Sequence, residues 1–562
     1  MKTPILTLLL CAFALSVSAQ RADYRIIPLP QDVQTDTTRT FVLHDGMHLA
    51  FDATNAEVAR TAQFLCDWVV AQTGIRLQLT PDDGKAPVRL RLTPPTPRKG
   101  RKQRSQPAAA PTPQQLEAYT LEVGADGVVL QAQQPIGLFR AAQTLRKALP
   151  VVPASATSAS ASPQVELPYV HIADQPRFAY RGVLLDCARH FFSVDFIKQY
   201  LDVMALHGCN QFHWHFTDDQ GWRFEVKSLP RLAQEGSVRP QTVIGPNSGI
   251  YDGQPHGGYY SQEDCRELVR YAAERYINIV PEIDLPGHMQ GALHVFPELG
   301  CTGGPYPVRT HWGVSRDVLC GGNPETMTFL RTVLGELCDV FPSEYIHIGG
   351  DECPKDRWRQ CAKCQAKIRE LGLADDGSHS PEDQLQTWIN HQVEQFLNER
   401  GRSLIGWDEI LAGGLTEGAI VMSWRGIKGG IEAARQHHRV IMSPNVFAYI
   451  DHPQLKDVAK QPRTIGGYIV SASKIYSFEP VVPEELSEQE QDYILGVQAN
   501  LWTEYVAYPE HAFYQLLPRL GAMCEVQWCR PAQKDFADFA RRLPRMQQLY
   551  DRIGVPYCHQ IE

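Results

Sequence analysis

Beyond its first twenty residues the 562-residue chain has no uninterrupted apolar run of the roughly 20 residues that a bilayer crossing requires, so no membrane-spanning helix is expected. A basic excess is also missing. The 54 Lys and Arg stand against 63 Asp and Glu, a net charge of −9, which gives no electrostatic basis for holding a nucleic acid. With 42 Gly and 40 Pro the chain is too poor in both for collagen, and 43% hydrophobic residues make it too apolar for a wholly disordered chain. No G-x-G-x-x-G stands between a strand and a helix, which argues against a dinucleotide-binding open sheet.

Cysteine is not scarce, but it is not arranged as a disulfide scaffold. Of the 14 cysteines one, Cys11, falls in the leader-like first twenty residues, and the remaining 13 is an odd number. Cys301 and Cys320 lie in Gly-rich sequence where a bridge could form, whereas Cys187, Cys209 and Cys265 sit in apolar segments suited to buried free thiols. Cys361-x-x-Cys364 with Cys353 supplies three candidate zinc ligands. No second C-x-x-C stands nearby, so packing or a local disulfide is the preferred reading, and no cofactor or metal is expected.

Residues 1–20 read as a secretory signal: Lys2, an apolar run from Ile5 to Val17, then the small pair Ser18-Ala19 before Gln20. Leu10, bulky and directly before Cys11, argues against a lipoprotein signal. The expected location is therefore exported, periplasmic or extracellular, with attachment to the cell surface left open.

Residues 21–175 read as a small α+β domain. Helical spacing recurs over 55–70 and 138–149, and strands are expected at Val88–Leu92 and at Tyr119–Val123, which turns through 124–127 into Val128–Leu130. A basic, Pro-rich stretch at 94–114 and a Ser/Ala-rich one at 151–164 read as exposed loops. After Pro176 strand and helix alternate. Eight strands are expected, at Gly182–Leu185, Gln211–Phe216, Ile277–Glu282, Tyr345–Ile348, Ser403–Gly406, Ala419–Ser423, Arg439–Met442 and Ile494–Gln498. Ser193 or Asp195, the Ser261/Asp264 box and Asn323-Pro324 mark helix starts between them. The fold class is α/β, a (β/α)₈ TIM barrel over 176–540 preceded by the smaller α+β domain and followed by a 541–562 segment packed on the barrel.

In such a barrel the chemistry sits where strands run out into loops. Asp186, Arg189 and His190 follow the first strand; His213, His215, Asp218 and Asp219 belong to the second; Glu282, Asp284 and His288 follow the third; Asp351 and Glu352 follow the fourth. Trp407, Trp424, Tyr449, Asp451, Trp502 and Glu504 occupy the remaining ends. Pyranose rings stack C–H faces on aromatics and offer hydroxyls to carboxylates and arginine, so this mixture suits a sugar. Two other readings stay open. His213, His215, Asp218, Asp219 and His288 could ligate a hydrolytic metal, and an exported noncatalytic sugar-binding protein would keep the aromatic wall.

The segments RGVLLDCARHFF (181–192), HWHFTDDQGWR (213–223), PEIDLPGH (281–288), HIGGDE (347–352), GWDEI (406–410), SWRG (423–426) and LWTEY (501–505), in that order, resemble the glycoside hydrolase family 20 β-N-acetylhexosaminidases over about 21–540. The resemblance implies an exo-acting, retaining enzyme for glycans ending in β-linked N-acetylhexosamine, with oligomeric state unspecified. In it the substrate's own 2-acetamido carbonyl attacks the anomeric carbon. Glu352 is then the acid/base, Asp351 orients the acetamido N–H, and Tyr449, in NVFAYID (445–451), donates to the acetamido carbonyl. The same matching implies Trp407, Trp424 and Trp502 around the sugar, Arg181 on the O3/O4 edge, and Asp451 and Glu504 on O4 and O6. It also implies His288 paired with Asp219 in support of the acid, and assigns no role to His213 or His215. Neutral-pH acid catalysis by Glu352 leads to the expectation that burial or the charge of Asp351 raises its pKa.

Overall fold

The computed structural model describes residues 20–82, 84–93, 110–152, 162–415 and 417–562. The expected leader up to residue 19, and most of the two expected loops (94–109 and 153–161), lie outside the described residues.

The first domain is one mixed sheet with two helices, Ala56–Thr73 and Pro135–Ala148, packed on it. The Tyr119–Gly124 and Gly127–Ala132 strands form the expected antiparallel hairpin, closed by the Gly124–Gly127 pair. Two longer strands escape the sequence pattern. Asp32–His44 and Gln164–Asp174 pair antiparallel through an irregularity between Asp36 and Thr40, and the polar DVQTDTTRT stretch of the former hides its strand character. Asn55 caps the first helix by accepting the Glu57 and Val58 N–H groups, and Gly74 ends it in the left-handed region.

All eight expected strands after residue 176 are present, shifted by up to three residues at their ends. Tyr180–Asp186, Gln211–His215, Asn278–Glu282, Tyr345–His347, Ser403–Trp407, Ile420–Ser423, Val440–Met442 and Ile494–Leu501 close into a parallel barrel in which the last pairs with the first. Strand alternation sorts their residues. Val183, Leu185, Phe212 and Trp214 face the helical ring, while Leu184, Val280, Ile405, Ile420, Met422 and Ile441 fill the interior. Ser193, not Asp195, caps the first barrel helix by accepting the Phe196 N–H, and the Ser261/Asp264 capping box and the Asn323 cap form as expected.

The final helix runs Phe536–Ile553 and so crosses the boundary expected at 540. Phe539, Leu543, Met546 and Tyr550 join the barrel's core, so the terminal segment is continuous with the barrel's own packing.

Arg181 lies at the wrong end of its strand for a substrate residue. It is second in Tyr180–Asp186, at the foot of the barrel, and donates to the Gly208 and Phe178 carbonyls and, at 2.6 Å, to Glu117 of the first domain. Arg140 shares Glu117 at 2.8 Å, and all three side chains are buried. This triad joins the two domains and is remote from the strand tips.

Candidate active site

At the C-terminal ends of the barrel strands lies a cavity of about 230 Å³, lined by Arg189, Asp218, Asp284, Asp351, Glu352, Trp424, Asn445, Tyr449, Asp451, His452, Ile465, Tyr468, Trp502 and Glu504. That is below the ~300–1,000 Å³ common for drug-sized ligands and suits a single small ring. Seven of the eleven expected site residues stand on its wall: Asp351, Glu352, Trp424, Tyr449, Asp451, Trp502 and Glu504.

The turn that delivers the central carboxylates depends on two glycines. Gly349 and Gly350 both have positive φ, and a Cβ on Gly349 would stand 1.8 Å from Asp284 Oδ1. Asp284 instead accepts the Gly350 N–H at 3.2 Å, which turns Asp351 and Glu352 over the barrel mouth. Glu352 and His288 are themselves left-handed, with φ of 44° and 50°, the kind of backbone strain retained where a side chain must be aimed.

An acid–imidazole relay backs the pair. Arg189 bonds Asp218 at 2.8 Å and Asp186 at 3.2 Å, and its guanidinium lies over the Trp502 ring. Asp218 meets His288 Nδ1 at 3.1 Å, and His288 Nε2 stands 3.6 Å from Glu352 and 3.8 Å from Asp351. Burial opposes charge on His288, but Asp218 and Asp284 outweigh it and raise its pKa well above the usual value, so it is an imidazolium. The expected Asp219 partnership is corrected here. Asp219 is 3.7 Å from His288, and its carboxylate is engaged by the Ser315 and Gln290 N–H groups, because neighbouring residues on the extended turn face opposite ways.

Beneath the cavity a second buried carboxylate, Glu282, gathers His213 at 2.9 Å, His347 at 3.0 Å, His215, and the Trp407 indole N–H at 3.1 Å. Despite burial, the three imidazoles hold its pKa well below the usual value. Trp407 therefore forms a buried floor, its ring 5.8 Å from that of Trp502, and is not part of the wall. The five residues proposed as hydrolytic metal ligands do not all converge: Asp218, Asp219 and His288 bring ligand atoms within 4.8 Å of one another, whereas His213 and His215 turn to Glu282.

The aromatic wall is ordered by its own contacts. Trp424 stacks on Tyr449 at 6.0 Å and donates to Glu409, and Tyr449 packs on Trp502 at 6.1 Å. Burial raises the Tyr449 hydroxyl well above its usual pKa, which keeps it a hydrogen-bond donor. Three buried polar atoms on this wall have no protein partner: Asp351 Oδ1, Asp451 Oδ1 and the Trp502 indole nitrogen. A polar ligand would satisfy groups that are otherwise costly to bury.

Burial, with help from the charges of Glu352 and Glu282, pushes Asp351 up to about 6. Glu352 moves the other way, lowered by the His288 imidazolium 3.6 Å away, and 42% of its side chain remains exposed. This reverses the expectation that Asp351 raises Glu352, because that reading did not place a buried cation beside the acid. Burial and the charge of Glu504 raise Asp451 well above the usual range, and burial with the charge of Asp186 raises Glu504.

Sequence reasoning passed over Arg189 in favour of Arg181. Strand direction is the signal that separates them, since only the residue beyond the C-terminal tip can reach the cavity. The two arginines should behave oppositely on substitution. Arg181→Met is expected to cost about 3 kcal/mol of stability, the low end for breaking a buried pair because Arg140 still faces Glu117, with kinetics nearly unchanged. Arg189→Met should lower kcat/KM about 10- to 100-fold, the worth of one or two charge-assisted hydrogen bonds. Thermal melts alongside steady-state kinetics on both variants check this.

Residues 178–531 match the catalytic domain of glycosyl hydrolase family 20, and residues 23–175 match domain 2 of the same family. A β-hexosaminidase of Porphyromonas gingivalis is 39% identical over 533 residues, covering 95% of this chain, which spans 64% of that relative's length. The Streptomyces plicatus N-acetyl-β-hexosaminidase, solved with Thio-NAglucal, superposes with a TM-score of 0.77 at 31% identity, covering 95% of this chain and 96% of its own. A Vibrio harveyi exo β-N-acetylglucosaminidase, solved with N-acetylglucosamine, gives 0.79 at 28% identity, covering 96% and 79%.

Proposed function

The chain belongs to glycosyl hydrolase family 20, and from that premise we propose that it removes terminal β-linked N-acetylhexosamine from the non-reducing ends of glycans, with retention, through an oxazolinium intermediate. The observation that carries this reading is the pairing of Glu352 with a half-buried Asp351 whose buried Oδ1 has no protein partner, at the mouth of a cavity sized for one ring. A noncatalytic sugar-binding protein needs the tryptophans but not this strained Glu352 beside a raised Asp351.

Bound substrate supplies what the empty pocket's protonation states lack. An acetamido N–H donating to Asp351 Oδ1 favours the carboxylate and lowers its pKa, while the sugar covers Glu352, removes water from it and raises its pKa. The order of the two acids inverts. Glu352 then protonates the glycosidic oxygen as the acetamido carbonyl oxygen, held by Tyr449, bonds to the anomeric carbon and the leaving alcohol departs. Asp351 stabilises the positive charge that develops on the ring so formed, an interaction strongest in the transition state. Glu352, now ionised, deprotonates the water that opens this intermediate from the same face, giving the β product. Arg189, Asp451 and Glu504 hold the ring hydroxyls, and Trp424 and Trp502 stack on its faces.

Export accords with the Lys2, Ile5–Val17 and Ser18-Ala19 pattern, and among the described residues no helix is long and apolar enough to cross a membrane. An exported exo-enzyme of this type would trim or scavenge extracytoplasmic glycans. Proton NMR of a chromogenic N-acetyl-β-glucosaminide during hydrolysis tests the reading. The β-anomer of N-acetylglucosamine should appear first and mutarotate afterwards. An α-anomer first, or no sugar released, would overturn it.

A further inference from the structure

Four of the thirteen described cysteines meet away from the substrate cavity. Cys301, Cys320, Cys361 and Cys364 bring their sulfurs within 4.8 Å of one another, and Cys320–Cys364, Cys320–Cys361 and Cys301–Cys364 are 3.5, 3.7 and 3.8 Å apart. Four thiolates around one zinc ion at ~2.3 Å stand about 3.8 Å apart along each edge of their tetrahedron. We propose that Cys301, Cys320, Cys361 and Cys364 form a structural zinc tetrathiolate site that fastens together the two loops flanking the catalytic carboxylates.

The local backbone is built for such a site. Cys361 caps the helix Ala362–Leu371 and Cys364 lies in its first turn, so one helical turn presents both sulfurs of the C-x-x-C to the same side, where the helix dipole favours thiolates. The other pair comes from the ends of one loop, drawn together by the Gly300–Leu319 bridge and the Cys320 N–H donating to the Leu299 carbonyl at 2.7 Å. The two halves touch through Gly322, where a Cβ would lie 2.2 Å from the Lys363 carbonyl group, and the Gly322 backbone hydrogen-bonds the Cys320 and Cys364 sulfurs. Backbone donors to sulfur are what a doubly negative tetrathiolate requires once buried. Cys320 and Cys364 are fully buried and Cys361 nearly so.

All-sulfur tetrahedral coordination selects zinc or iron over oxygen-seeking cations. The sequence-level grouping is thereby corrected. Cys353 does not join the cluster, and the second pair of ligands comes from Cys301 and Cys320, which are free thiols in this structure. The linkage explains how two loops stay registered over the site. One carries Ser315, which holds Asp219 beside Asp218, and the other leads directly from Glu352 into Cys361. The Asp317–Arg357 pair at 2.7 Å and the Trp358 indole donating to the Leu319 carbonyl at 2.9 Å stitch the same seam. The ion touches no substrate, so its role is positioning.

The full chain, purified without chelator or added thiol, should carry one zinc per chain by mass-spectrometric metal analysis. A thiol-specific mercurial should release it, and cobalt(II) exchanged into the site should give the intense visible bands of a tetrahedral thiolate complex. Cys361→Ser with Cys364→Ser should lose the zinc. Cys209→Ser, which alters a separate buried pair with Cys524 at 3.6 Å, should keep it. If the double variant fails to fold, the metal content, mercurial release and cobalt spectrum of the unaltered protein decide alone. Zinc absent from that protein, iron in its place, or peptides joined by disulfides among Cys301, Cys320, Cys361 and Cys364 would overturn the proposal.

Discussion

Glu352→Gln is expected to lower kcat on an N-acetylglucosaminide with a poor leaving group by about 10³-fold, within the range that one positioned general acid supplies, and to leave KM nearly unchanged. Glutamine keeps the shape of the side chain and its place beside His288 but carries no transferable proton. The loss should shrink with a nitrophenol leaving group, which departs with little protonation, and a leaving-group series on the purified variant measures this. Equal losses across the series would mean that Glu352 does not protonate the leaving oxygen.

Asp351→Asn is expected to lower kcat/KM by about 10²- to 10³-fold, the scale of removing one preorganised group that faces developing charge. The pH dependence supplies a second signature. In the free enzyme Asp351 is pushed up to about 6 by burial first and by the neighbouring carboxylates second, and in the proposed mechanism its ionised form orients the acetamido group. The active form keeps one proton on the pair, on Glu352, so the kcat/KM of the unaltered enzyme should fall as pH rises through about 6, and in the variant this fall should move down to the lowered pKa of Glu352. The same shift fixes the sign of a stability change. A carboxyl whose folded pKa exceeds its unfolded value favours the folded state least when ionised, so the native protein loses stability as pH rises toward and past 6. Removing the charge should raise the melting temperature at pH 7, with an upper bound of about 3 kcal/mol. An active site that is stabilised by its own inactivation is one whose strain serves function.

The barrel and the residues at its strand tips were legible because they rest on local signals. Period-two strands, capped helices and polar residues at strand ends are each encoded within a dozen residues, and Ser261/Asp264 and Asn323-Pro324 even mark where helices begin. What failed needed distance information. Arg181 and Arg189 flank the same strand, and only the strand's direction assigns one to the domain interface and the other to the cavity. Asp218 and Asp219 are adjacent, and only the turn conformation decides which faces His288. The charge on His288 that reverses the expected order of Asp351 and Glu352 comes from Asp218 and Asp284, supplied by the second and third strands. The cysteine cluster joins residues 301 and 320 to 361 and 364 across a helix and a strand, a grouping no spacing rule contains.

The central claim is that the sugar provides its own nucleophile while the protein provides only the acid and a charged guide for it. Paired rates on the aryl N-acetyl-β-glucosaminide and on the matching β-glucoside, differing only in whether position 2 carries acetamide or hydroxyl, test it most directly. The account predicts ready turnover of the first and none detectable of the second, even where the glucoside binds and inhibits. Comparable rates on both would show that a side chain attacks the anomeric carbon, and the assignment of Asp351 as a guide for the acetamido group would fall with that result.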